Sequence, residues 1–174
     1  MAGPLTINSL TNASVYLDGV GFIGRAAEVE VPHPKHKMID YKGLGMAGSL
    51  ELWAGIDKLE MQIKWSSFDP IALAAAADGI SAHSLQIRGS VRVMTSQGVS
   101  AELPAVYLAT GTFKDGGKAA FKHQELVETT SKLAVSHVEL WYAGEQVFLY
   151  DAFANLYSIN GVDQLAQFRA NLGG

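Results

Sequence analysis

Cysteine is absent from all 174 residues, which excludes disulfide frameworks, cysteine-ligated metals and thiol nucleophiles together. Charge is scarce as well. Only 17% of residues are Asp, Glu, Lys or Arg, so the chain has little ionic surface to cover a monomer and hints at surface hidden by self-association. Nor is there a basic excess: the net charge of −4 and a pI of about 5.7 carry no footprint for gripping nucleic acid. The longest apolar run, Ile71 to Ala77, is far too short to span a bilayer. No N-terminal stretch has the charged, apolar and small-residue order of a secretory signal, so folding in a cytoplasm without export is expected.

Catalytic and ligand-binding patterns are missing too. The five histidines form no H-x-H or H-E-x-x-H spacing. His33 and His36 lie in a proline-broken segment and read as solvent- or partner-facing, while His137 reads as a satisfied mid-strand residue. Gly43-Leu44-Gly45-Met46-Ala47-Gly48 nearly spells the dinucleotide fingerprint, but a buried strand must precede that motif and a helix must follow. Here a basic, proline-led segment precedes it and a strand follows. Asp57 with Glu60, and Glu125 with Glu128, are better explained as charges on exposed strand edges than as acid–base pairs. No catalytic residue, metal site or cofactor is expected. The aromatic residues fall mostly on the apolar parity of strands and read as core.

What the chain does have is β periodicity and one long irregular segment. Leu59, Met61, Ile63 and Trp65 alternate with Lys58, Glu60, Gln62 and Lys64, which puts the apolar side chains on one face. Between His33 and Leu50 the pattern lapses into glycines, three lysines and scattered Tyr41, Leu44 and Met46. A connection of that length is a lid, a binding loop or disorder, and disorder is disfavoured by its apolar content. It reads as an arm, residues 33–50, that leaves the domain and buries its apolar residues on a partner.

In chain order, residues 1–12 are expected to be a loose terminus, followed by a hairpin turning at Asp18-Gly19. A strand at Glu28–Val31 is stopped by Pro32 and Pro34, and after the arm come Leu50–Trp53 and the strand ending at Trp65. Asp69-Pro70 opens a short helix through Ala77. Strands follow over Leu85–Val93, from Val106 toward Phe113, over Thr129–Tyr142 with both faces partly covered, and over Val147–Asp151. The tail from Gly161 to Asn171 has helical spacing. About eight strands and two short helices make a mainly β single domain, 1–174, an antiparallel β-sandwich or partly closed barrel with a short flanking helix, a C-terminal helix and a long extended inter-subunit loop.

Asp40-Tyr41-Lys42-Gly43-Leu44-Gly45-Met46-Ala47-Gly48-Ser49 resembles the "YxGxGMxGS" stretch of the major tail tube proteins of contractile-tailed bacteriophages, the FII type. Asn160-Gly161-Val162-Asp163-Gln164-Leu165, with Arg169, Asn171 and Gly173, is similar to that family's "NGVDxLxxxRxNxG" ending, and Val15–Gly19 and Phe22–Gly24 also fit. The resemblance implies hexameric rings stacked into a tube in the virion tail, with the arm reaching the neighbouring ring. Inter-subunit contacts are thereby expected at Asp40, Tyr41, Gly43, Leu44, Gly45, Met46, Gly48, Ser49, Asn160, Gly161, Asp163 and Arg169. It further implies a sheath outside, a baseplate below, a tape-measure protein inside during assembly, and DNA passing through the lumen without specific binding or a membrane anchor. The same fold serves R-type bacteriocins and, more distantly, type VI secretion tubes. A β-sandwich that binds a glycan or peptide is the rival reading, and the two differ in whether the protein polymerises.

Overall fold

The computed structural model describes residues 5–118 and 128–173. Its centre is the strand β9 (Thr129–Tyr142), which has strand neighbours on both edges over most of its length. One edge carries β8 (Gly98–Asp115). The other edge is shared: β6 (Leu59–Trp65) pairs with residues 129–135, and β10 (Glu145–Asp151) with residues 137–142. From β8 the sheet continues through β7 (His83–Thr95) to β1 (Ile7–Leu17) and the short β2 (Val20–Gly21). From β6 it continues to β3 (Ala26–Glu30), and from β10 to β11 (Leu156–Ile159) and β12 (Val162–Asp163). Every pairing is antiparallel, within one ten-stranded sheet.

This sheet bends around a core, which brings β1 and β3 to opposite sides of a cleft of about 280 Å³ lined by Leu10, Val15, Ala26 and Val29. No ladder joins those two strands, so the barrel is open on that side. The apolar parity of β6 supplies the wall opposite: Leu59, Met61, Ile63 and Trp65 are all buried. Trp65 cannot be buried without satisfying its indole N–H, which donates to Ser131 Oγ at 3.2 Å. Phe22, in the link from β2 to β3, meets Trp65 edge-on with centroids 5.4 Å apart.

The flanking helix α1 (Pro70–Ala77) begins where the sequence marks it. Asp69 Oδ1 accepts from the amides of Ile71 and Ala72, and Asp69 also pairs with Arg25. Burial opposes ionisation of this carboxyl, but the two amides and the guanidinium outweigh it and hold its pKa below the ordinary value. Ala72 and Ala76 are the residues of α1 that enter the core.

Several expectations are corrected by the pairing. The N-terminal segment is not loose through residue 12: β1 starts at Ile7, because β7 is long enough to pair with it up to Met94. Segment 33–50 contains a regular strand, β4 (His36–Tyr41), which forms a separate two-stranded sheet with β5 (Leu50–Ile56), so the arm is a hairpin. Residues 161–165 are not helical; helix α2 is confined to Ala166–Asn171. Glu125 and His123 lie outside the described residues.

Gly111 marks a close approach between β8 and β9, at a register shift in their ladder. A Cβ there would sit 2.2 Å from the carbonyl oxygen of Ala134, a backbone atom fixed in the sheet. We expect Gly111→Ala to destabilise the domain by about 2 kcal/mol or more, read from the urea midpoint. An unchanged midpoint would show that the two strands separate more easily than their pairing implies.

Candidate assembly interface

The hairpin β4–β5 has two faces, assigned by its register. Ile39 opposes Leu52 and Tyr41 opposes Leu50, so one face carries four apolar residues together, with Lys37 beyond them toward the root. Met38 opposes Trp53 and Asp40 opposes Glu51 on the other. All six residues of β4 are exposed, as are Leu50 to Trp53. Two strands alone do not make a stable sheet in water, and a four-residue apolar face left in solvent adds to the cost. Two carboxylates set directly opposite each other repel. Neither Asp40 nor Glu51 has an ion-pair partner among the described residues.

At the tip, Met46 N donates to Gly43 O at 3.2 Å, which closes a turn with Leu44 and Gly45 at its centre. Gly45 has φ +84°, the positive value that a type II turn requires at its third position. Leu44, the second residue of that turn, is fully exposed at 107%. Gly43 sits beneath the Tyr41 hydroxyl and the Met46 sulfur, and a Cβ there would lie 3.3 and 3.4 Å from them. Gly48 is different: its φ is unremarkable and a Cβ would meet nothing within 4 Å. Its lack of a side chain has no cause inside this subunit.

The root of the hairpin is tied down. Asp57 N donates to Lys35 O at 2.7 Å, Trp53 Nε1 donates to His36 Nδ1 at 3.1 Å, and the His36 ring meets Tyr157 edge-on. His33 lies against Tyr107 and Phe148, so it packs on its own chain although it stays exposed. A cleft of about 270 Å³ separates the root from the C-terminal helix, lined by Trp53, Ile56, Tyr150, Asn155, Leu165 and Phe168.

The C-terminal group Asn160, Gly161, Asp163 and Arg169 forms a unit of its own. Asn160 and Gly161 have φ +48° and +77°, the pair of positive values of a type I′ turn, and join β11 to β12. Asp163 Oδ1 accepts from Leu165 N at 2.9 Å, and its carboxylate pairs with Arg169. Arg169 Nη1 also donates to Asn155 O at 2.9 Å. These residues thus fasten α2 to the body, while Asp40 through Ser49 occupy the far end of the hairpin. The two groups meet only through the hairpin root. Ile39, Leu50 and Leu52 belong to the apolar face but were not singled out by sequence; only Leu50-Glu51-Leu52 carried a period of two, and β4 carried none.

Among the described residues, no group of three or more His, Asp or Glu is placed to hold a metal ion. The family model "Phage tail tube protein FII" matches residues 7–173. The tail tube protein of Escherichia phage P2 is 28% identical over 165 residues, covering 92% of this chain and 94% of that relative.

Arg169 holds the Asp163 carboxyl below its ordinary pKa of 3.8. A carboxylate with a lowered native pKa stabilises the fold above its unfolded value and loses that contribution as pH falls through the native one. Hydrogen exchange at the Leu165 amide should therefore accelerate as pH drops below about 4, beyond the intrinsic pH trend. In Arg169→Ala the extra acceleration should shrink, because without the guanidinium the native Asp163 pKa moves back toward its unfolded value. Identical profiles in the two proteins would overturn the assignment.

Proposed function

This chain belongs to the phage tail tube protein FII family, and from that membership we propose that it is the repeating subunit of the inner tube of a contractile phage tail, stacked as hexameric rings around a conduit for the genome. The single observation that carries the stacking is the hairpin with an apolar face that stays exposed among the described residues. Tyr41, Leu44 and Met46, with Asp40, Gly43, Gly45, Gly48 and Ser49, are assigned to the contact between rings. The unit of Asn160, Gly161, Asp163 and Arg169 is assigned to the same interface through the root it supports. The role is structural rather than enzymatic, and it takes place in the virion tail after assembly in the host cytoplasm. A surrounding sheath, a baseplate and a tape-measure protein are the partners such a tube requires.

A tube must stack firmly and yet let a polyanion slide. Stacking needs one patch to meet a different patch, because that kind of contact propagates rather than closes. At ~25 cal/mol per Å², covering roughly 200 Å² of apolar surface per hairpin contributes about 5 kcal/mol before ordering costs. Repetition around a ring multiplies this, so weak single contacts produce a persistent filament. Sliding needs a wall that does not grip, and DNA carries one charge per ~1.7 Å of axis. The acidic balance of −4 per subunit suits such a wall.

Negative-stain electron microscopy of the concentrated protein should show rings or tubes of variable length. A species that stays monomeric at every concentration, whatever ligand is added, would overturn the tube and favour a small binding module. Gly48→Val should leave the melting temperature of the isolated subunit unchanged, since its Cβ meets open space, and should abolish tube growth. Tubes of normal length from that variant would remove Gly48 from the interface.

A further inference from the structure

The outer face of the β8–β9 pair carries a groove of about 480 Å³ that the contacts above leave unused. Its floor includes Gly111, Ala134 and Val135, and Ile80 and Phe153 stand at its rim. These rim residues are 93% and 92% exposed, next only to Leu44 among the large apolar side chains. They are not loose loop tips. Asp78 Oδ1 accepts from the amides of Ile80 and Ser81 at 2.9 and 3.0 Å, and Asp151 Oδ1 accepts from Phe153 and Ala154, both at 2.9 Å. The same device is thus built twice, each time raising a bare hydrophobic residue two positions after the aspartate.

In both copies of the device the second carboxylate oxygen faces a histidine. Asp151 Oδ2 lies 3.1 Å from His137 Nδ1, and Asp78 Oδ2 lies 3.9 Å from His83 Nε2. His137 Nε2 meets Glu139 Oε1 at 2.8 Å, and His83 Nδ1 meets Asp18 Oδ2 at 2.7 Å. Asp151 is thereby held from both sides, whereas 3.9 Å is too long for a hydrogen bond and leaves His83 Nε2 without a hydrogen-bond partner among the described residues. In both copies the two amide bonds to the aspartate preorganise the rim. Fixing two apolar side chains upright in water stabilises nothing within the subunit. It does lower the ordering cost of receiving something between them.

We propose that this groove is the seat for the arm tip of a second copy of this chain, with Leu44 entering between Ile80 and Phe153. This rests on the tail-tube reading. The chain carries an exposed knob on a narrow glycine turn and a seat with a small-residue floor, and among the described residues neither is filled. Charge agrees with the match. Lys42, two residues before Leu44, has no carboxylate partner among the described residues, whereas aspartates 78 and 151 stand beneath the rim. Lys114 and Lys132, on the same strands as the floor, are already engaged by Glu60. A knob and a seat at different places on one surface join head to tail without closing.

The absence of native cysteine makes the contact directly testable, since two introduced thiols report on one pairing. Full-length protein carrying L44C and F153C, concentrated and mildly oxidised, should give a ladder of dimers, trimers and higher species on a non-reducing gel. L44C combined with I23C, an exposed hydrophobic position elsewhere, should give none. L44C with I80C serves where the melting curve shows that F153C has damaged the fold. If filaments form in the microscope but neither rim pair yields the ladder, or the I23C pair yields it equally, the seat is wrong and the tube reading stands. That outcome also covers a groove taken by a different tail component. If L44C alone crosslinks as fully as the pairs, tips meet tips and the seat is again wrong. If wild-type protein forms no filament under any condition, both readings fall.

Discussion

Apolar surface that a subunit cannot cover by itself is the constraint on which this architecture turns. A two-stranded ribbon has two faces and no third layer, so a ribbon with Ile39, Tyr41, Leu50 and Leu52 on one side has nowhere within β4 and β5 to bury them. The body of the protein solves the same problem internally. Its ten-stranded sheet bends until Leu59, Met61, Ile63 and Trp65 face Val15, Leu17, Leu85 and Ile87 across one core. The hairpin is the part of the sheet inventory left out of that solution. A stable body with an unsatisfied projection suits the tube subunit proposed above.

Rigidity is placed accordingly. β9 is paired on both edges, β8 approaches it so closely at Gly111 that a methyl group does not fit, and Trp65 reaches Ser131 on the neighbouring strand. By contrast the hairpin tip is closed by the bond from Met46 N to Gly43 O, a weak one from Gly43 N to Met46 Sδ, and a glycine at φ +84°. The tip is able to adjust to a neighbour while its root, held by Asp57 to Lys35 and by Trp53 to His36, keeps its direction.

Elements that meet the core were legible in sequence, because burial imposes a period. The strand to Trp65 and the helix capped by Asp69 follow directly from alternation and capping chemistry. β4 was not legible, since Met38 and Ile39 are both apolar yet lie on opposite exposed faces, which erases the contrast that marks a half-buried strand. The first residues of β1, Asn8, Ser9 and Asn12, have weak strand preference and are extended because β7 offers a long edge. In the tail, helical spacing from Val162 competed with the Asn160-Gly161 turn signal, and the turn won by closing β11 onto β12. The residues Asp40 to Ser49, read in sequence as one segment, lie together at the far end of the hairpin. The pairing of Ile80 with Phe153 was beyond reach, because two loops far apart in the chain are brought together only by the fold.

The loop from Asp151 to Asn155 ties these parts together. Asp151 raises Phe153 at the groove, and four residues on, Asn155 O accepts from Arg169. Arg169 clamps Asp163, whose Oδ1 accepts the amide of Leu165, and Leu165 lines the cleft against Trp53 at the root of the hairpin. The seat proposed to receive a neighbour and the arm proposed to reach one are thus joined by a short chain of hydrogen bonds and packed side chains. A load applied to a filament would pass from subunit to subunit along that path. Stiffness of this kind needs no large interface, only that the receiving and giving surfaces be fixed to each other, and the NGVD…R segment is the part of the sequence that fixes them.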